Sequence, residues 1–401
     1  MKLDTDTMTA TERVRTACNH QEPDRVPIYQ MGFPSYSEVI IEWRAQEDKL
    51  MDEWTENEDN VILTPVGDYT LRYFFGSEVE MYGIGQRNNY KTQWLDEQGN
   101  LSEDASAVEH VAEKTYVDYL GCLRGSRILE SGHNYEWYID GYLKTKDAVL
   151  AWYDRYGWPD EHTTNAADMS AFRDCVARFG DRICLIPQIG GVQLFEASWP
   201  IMGLDRWSYY CRKDPDFIKR IIESRKNAQL AILDEIAKLE PFAVFGGDDM
   251  GQKDRPLMSP AQFRKFFFEP YKEIFDKVHA MGAIAFNHSC GNIMELLPTY
   301  IEAGINGWQS LEPASGIDHA LLKQQYGDQL LLVGGIDSSR ELCFGTPKSI
   351  EEHVKKQMAA MAPGGGYITG PAHDYLNVSL ENAIAARDAM QKWGKYPIST
   401  C

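Results

Sequence analysis

Short apolar runs alternate with longer amphipathic stretches through the C-terminal half of the chain. The apolar runs fall at 183–189, 242–246, 283–287, 304–310, 330–334 and 366–369. Between them, hydrophobic residues recur at helical spacing over 216–239, 260–281, 293–303, 317–326, 347–361 and 380–393. Asp214-Pro215, Ser259-Pro260 and Thr346-Pro347 each set a capping side chain ahead of a proline suited to a first helical turn. Strand then helix with short links implies parallel strands joined by right-handed crossovers. With a further strand at 26–31, the pattern predicts a TIM (β/α)8 barrel.

The segment 60–136 follows another rhythm. Stretches 71–75, 78–84 and 90–95, punctuated by Phe75-Gly76-Ser77 and Glu97-Gln98-Gly99-Asn100, read as antiparallel hairpins. The expectation is one domain over 1–401, with 60–136 inserted to cap the barrel mouth.

Composition narrows the class. Hydrophobic residues make up 43% of the 401, enough for a sizeable core. Sixty acidic residues against 40 Lys and Arg give a formal charge of −20, unsuited to nucleic acid or anionic membranes. No apolar run approaches the ~18 residues of a membrane span. The polar start, Met1-Lys2-Leu3-Asp4-Thr5-Asp6, lacks the apolar core of a signal peptide. The eight cysteines are dispersed, so reduced thiols and a cytoplasmic enzyme are expected.

Candidate chemistry centres on His288-Ser289-Cys290, at the carboxyl end of the 283–287 run. In β/α proteins that end of a strand carries the active site. Imidazole nitrogen and thiolate sulfur are both good zinc donors, and a catalytic zinc needs about three protein ligands and an open position. Asp248 and Asp249 follow another strand, where one could orient a ligand histidine or act as general acid. Gln188, Gln309 and Asp337 end strands and are expected to face substrate. Tyr29 and Met31, from the first strand, suit either substrate contact or core. Gly364-Gly365-Gly366 precedes a strand rather than opening a helix, so it reads as a loop and not a phosphate cradle.

An ordered set of motifs resembles the uroporphyrinogen decarboxylase superfamily. They are Thr11-Glu12-Arg13-Val14 with Glu22-Pro23-Asp24-Arg25-Val26-Pro27, Gly247-Asp248-Asp249-Met250-Gly251 with Ser259-Pro260, His288-Ser289-Cys290-Gly291, and Gly364-Gly365-Gly366-Tyr367-Ile368 with Leu380-Glu381-Asn382. Within it, the chain looks most like corrinoid-linked methyltransferases acting on methanol, methylamines, methylthiols or aryl methyl ethers. The resemblance implies a TIM barrel, zinc at His288 and Cys290, and methyl transfer between a small methylated compound and a corrinoid (cobalamin) on a partner protein.

The family's third zinc ligand is a cysteine after the last strand. Here that stretch is Gly370-Pro371-Ala372-His373-Asp374, which offers His373 instead, with Asp249 and Cys343 as alternatives. The stretch matching the arginine-rich substrate segment of true decarboxylases, residues 28–36, contains no arginine. A polyanionic tetrapyrrole would find little to pair with there. Asp276–Gly282 is one residue out of register with the corrinoid-carrying signature and lies in an expected helix, so the corrinoid is expected on a partner. The chain thus reads as a zinc-dependent O- or N-demethylase, an aryl methyl ether being slightly favoured, and as a possible homo-oligomer. A metal-independent decarboxylase and a non-catalytic small-molecule binding protein are the alternatives.

Overall fold

The computed structural model describes residues 3–32, 51–64, 67–87, 90–96, 100–108, 112–129, 134–164, 166–190 and 193–399. Part of the arginine-free stretch (33–36) and the turn at 97–99 lie outside them. Strands are numbered along the chain: β1 (Val79–Ile84), β2 (Gln93–Leu95), β3 (Leu101–Ser102), β4 (Glu113–Val117), β5 (Cys122–Ile128), β6 (Asn134–Gly141), β7 (Cys184–Ile189), β8 (Ala243–Gly247), β9 (Ile284–His288), β10 (Gly307–Ser310), β11 (Leu331–Ile336) and β12 (Tyr367–Pro371).

Seven of these form one parallel sheet in the order β12-β11-β10-β9-β8-β7-β1. Residues 28–29 close it, Ile28 bridging Thr369 of β12 and Tyr29 bridging Val79 of β1, both parallel. The result is the expected eight-walled β/α barrel. Its walls follow chain order, as right-handed crossovers dictate. Side chains alternate in and out along each strand. The inward set Tyr29, Val79, Cys184, Ile186, Ala243, Phe245, Phe286, Leu331, Val333 and Ile368 forms a barrel core. Val14, Ala17 and Cys18 of the helix Ala10–Cys18 join that core.

Helices Pro347–Met361 and Leu380–Trp393 match the sequence pattern, and the Thr346 and Ser379 side chains cap them. The 260–281 stretch instead divides at Phe267 into Pro260–Phe266 and Phe268–Ala280. Helix 293–303 is shorter than its pattern, starting at Leu297.

The N-terminal third differs more. Residues 71–74 of the stretch 71–75, expected as a strand, belong to the helix Thr70–Phe74, and Phe75 caps its end. The 78–84 run is not half of a hairpin but the barrel strand β1, parallel to β7 from Val79↔Cys184 to Ile84↔Ile189. Its alternating V-E-M-Y-G-I pattern suits either pairing, and only tertiary context selects one. The antiparallel sheet is real, ordered β3-β2-β4-β5-β6, and extends beyond residue 136 to Gly141. It meets the loop after β7: Leu143 N–H donates to the Ile201 carbonyl at 3.1 Å, and the Tyr138 and Trp199 rings pack edge to face. No described helix is long and apolar enough to cross a membrane.

Candidate metal centre at the barrel mouth

The period of two that fills the barrel core also builds the site. Continuing the inward positions toward the carboxyl ends gives Met31, Met81, Gln188, Gly247, His288 and Gln309, all lining one cavity of about 540 Å³. The register pairs Gly247 with His288 and His288 with Gln309. That pairing sets the Gln309 Oε1 within hydrogen-bonding reach of His288 Nδ1. A histidine whose Nδ1–H is taken by an amide oxygen directs its Nε2 lone pair elsewhere.

That nitrogen points at two further candidate metal ligands. His288 Nε2 lies 3.1 Å from Cys290 Sγ and 3.1 Å from Asp249 Oδ1. One ligand atom from each of the three falls within 4.8 Å of the others, the one such group found among the described residues. Donors around a tetrahedral zinc stand roughly 3.5 Å apart, given bonds of about 2.0–2.3 Å. The N, S and O set therefore fits zinc with modest expansion.

Backbone packing explains the convergence. The loops after β8 and β9 lie against each other, with Asn292 N–H donating to the Gln252 carbonyl at 2.8 Å. A Cβ on Gly251 would stand 2.4 Å from the Cys290 carbonyl oxygen, so only glycine permits the approach. Cys290 N–H donates to Asp249 Oδ1 at 2.9 Å, and Met250 N–H to Ser289 Oγ at 3.0 Å. The electrostatics follow from this crowding. Although burial opposes charge on both partners, their mutual contact holds Asp249 down at about 2 and carries His288 well above the usual histidine range. Burial raises the Cys290 thiol, with His288 pulling against it.

Of the sequence candidates, Tyr29, Gln188, Asp249, His288, Cys290, Gln309 and His373 line the cavity. Asp249, rather than His373, completes the close group. The His373 ring centroid stands 6.4 Å from that of His288, and His373 Nδ1 accepts the Asp374 N–H at 2.8 Å. Cys343 is elsewhere, its thiol donating to the Ser338 carbonyl.

Asp248 and Asp337 do not line the cavity. Asp248 is fully buried and accepts the N–H groups of Leu194, Phe195 and Glu196 at 3.1, 2.8 and 2.6 Å, together with the Tyr271 hydroxyl. It points outward from β8 because its neighbours Gly247 and Asp249 point in. Asp337 is spent on its own turn, accepting from Ser339 N–H, Arg340 N–H and Arg340 Nε.

Residues absent from the sequence reading also line the cavity: Arg72, Met81, Glu196, Phe245 and Asp374. Glu196 accepts the Asp249 N–H at 3.3 Å. Burial, then the charges of Asp249 and Asp248, push its carboxyl up to about 7. It lies in the loop after β7, where no motif marks it.

The C-terminal mouth of this β/α barrel thus carries an Asp, His and Cys group that could hold a metal ion. The chain belongs to the uroporphyrinogen decarboxylase (URO-D) family, whose model matches residues 176–393. That span runs from before β7 to the last helix and holds every metal candidate. Among solved structures, a methyltransferase from Methanosarcina mazei superposes with a TM-score of 0.61 at 16% identity, over 96% of this chain and 99% of that one. A 3-keto-D-glucoside 4-epimerase from E. coli matches with a TM-score of 0.37 at 12% identity, over 56% of this chain and 84% of that one. No curated protein sequence matches the chain.

Proposed function

We propose that the chain is a zinc-dependent methyltransferase. It takes a methyl group from a small O- or N-methyl compound, an aryl methyl ether being favoured, and passes it to a corrinoid carried by a separate protein. The observation that supports this most is the Asp249–His288–Cys290 group at the cavity wall, with His288 oriented by Gln309. The superposition on a methyltransferase over nearly the whole chain agrees with it.

Zinc held by these three residues would supply a Lewis acid for the heteroatom that loses its methyl, or hold its anion at neutral pH. In this reading the methyl departs without its bonding pair, and the heteroatom keeps the pair and takes a proton. Glu196, which lines the cavity and accepts the Asp249 N–H, supplies that proton. His373 keeps Nε2 for the substrate, since its Nδ1 is occupied by the Asp374 N–H. Phe245, Met31 and Met81 give the methylated group an apolar wall.

The test is an anaerobic assay of the purified protein with cob(I)alamin and a panel of O- and N-methyl compounds. Methylation of the corrinoid with release of the demethylated product is expected, abolished by chelation and by Cys290→Ala. Release of CO2 from a carboxylated compound under chelation would instead establish the decarboxylase alternative. Binding without turnover across the panel would leave a binding protein.

A further inference from the structure

The wall across the barrel from the metal donors carries a second feature. Walls follow chain order, so the seam between residues 28–29 and β1 lies opposite β9 and His288. A carboxylate is buried at that seam: Glu80 on β1 is 1% exposed, beside Arg72 and Ser77. Its Oε2 accepts a hydrogen bond from Arg72 Nη1 at 2.6 Å. Burying a lone carboxylate is strongly unfavourable, so a sequence that keeps one here is holding the arginine it pairs with.

Arg72 is held but not used up. A guanidinium offers five N–H donors in a planar fork, and the described side chains take one of its nitrogens. The Tyr69 ring supports it from 5.5 Å. The side chain stays 31% exposed, and it is the one Lys or Arg among the described residues lining the cavity. Burial pushes the Glu80 carboxyl up to about 7 despite its partner. Tyr29 lies in the same corner, its phenol close enough to feel Glu80, Arg72 and Asp374.

We propose that Arg72 is a specificity-determining residue that binds a planar or tetrahedral oxyanion, a carboxylate or sulfonate, at the end of the substrate remote from its methyl group. The metal donors and Arg72 line one cavity of about 540 Å³, within the usual range of about 300–1,000 Å³ for small-ligand sites. A bifunctional molecule fits this, with the reacting heteroatom at one end and the anion at the other. A methoxylated aromatic acid has that form. The methyl end rests on the methyl-transfer reading above; the anion site does not.

Binding to the full-length protein, measured by titration calorimetry, separates the two. The probes are para-methoxybenzoate, para-methoxybenzenesulfonate, uncharged para-methoxybenzyl alcohol and the para-methoxyphenyl trimethylammonium cation. The wild type is expected to bind an anion about 10- to 100-fold more tightly than the alcohol, the span of one or two charge-assisted hydrogen bonds. The carboxylate and sulfonate arms tell which oxyanion the fork prefers. Arg72→Gln removes the preference and leaves alcohol affinity unchanged, while Arg72→Lys keeps part of it. Circular dichroism and the thermal midpoint verify that each variant folds, and the wild-type charge series stands without them. Equal affinity for anion and alcohol, a preference that survives Arg72→Gln, tightest binding of the cation, or no anion binding at millimolar concentration would each overturn the proposal. Anion binding without turnover would leave this site standing and count against methyl transfer alone.

Discussion

Asp248→Asn separates a clamp from a catalyst. The side chain keeps its volume and loses its charge. In the wild type, Oδ2 accepts from Leu194 N–H, Phe195 N–H and the Tyr271 hydroxyl, and Oδ1 from Glu196 N–H. Burial pushes the carboxyl up to about 6, with Tyr271 and the three amides drawing it back, so it is charged at neutral pH. Whichever way the new amide turns, its NH2 faces at least one N–H donor. One charge-assisted hydrogen bond is lost and one buried donor is left unsatisfied, together roughly 2–4 kcal/mol. The urea midpoint should fall by that amount divided by m, with m unchanged. The loop bearing Glu196 loosens, so methyl transfer falls as well. A stability change below about 0.5 kcal/mol, within the scatter of ordinary surface substitutions, would refute the clamp. Lost activity at unchanged stability would restore the direct role in chemistry that the sequence suggested for Asp248.

Two other expectations follow from the same geometry. Gln309→Leu removes the oxygen that orients His288 Nδ1, and zinc affinity should drop about 10- to 100-fold in competition with a chromogenic chelator; unchanged affinity would show that β9 alone fixes the ring. At the other end of the barrel, Asp24 faces Arg13 with Oδ1 2.6 Å from Nε. Although burial opposes charge, Arg13 and the Met8 and Thr7 amides bring its carboxyl from 3.8 down to about 2. Because the folded value is depressed, this stabilisation is complete above about pH 4 and lost as pH falls toward 2. It is on the order of 2 kcal/mol, and Asp24→Asn should flatten the acid limb of the stability curve over that window.

The sequence was most readable where one physical requirement dominated. Helix Pro347–Met361 has a threonine cap, a first-turn proline and a steady apolar face, and its limits were visible residue by residue. The closeness of His288 and Cys290 at the cavity was legible because strand periodicity and residue type agree there. Asp249 and Asp248 were both placed at the site by the sequence, Asp249 as an alternative ligand and Asp248 in a supporting or acid role. They part company only because successive strand residues face opposite ways, and Gly247 sets which of them enters the cavity. β1 was misread because alternation cannot tell a parallel partner from an antiparallel one. Its Glu80 is buried because Arg72 from the preceding helix pairs with it. Glu196 was silent, since it reaches the cavity through a loop held by a carboxylate fifty-two residues later.

The central claim is that Asp249, His288 and Cys290 form one zinc site. Elemental analysis of protein purified, loaded with zinc and desalted tests it most directly, with the single alanine variants alongside. The account predicts close to one zinc per chain in the wild type, and loss of most of it in His288→Ala, Cys290→Ala and Asp249→Ala, while His373→Ala keeps its metal. Wild-type protein without stoichiometric zinc, or full loading in His288→Ala, would contradict it.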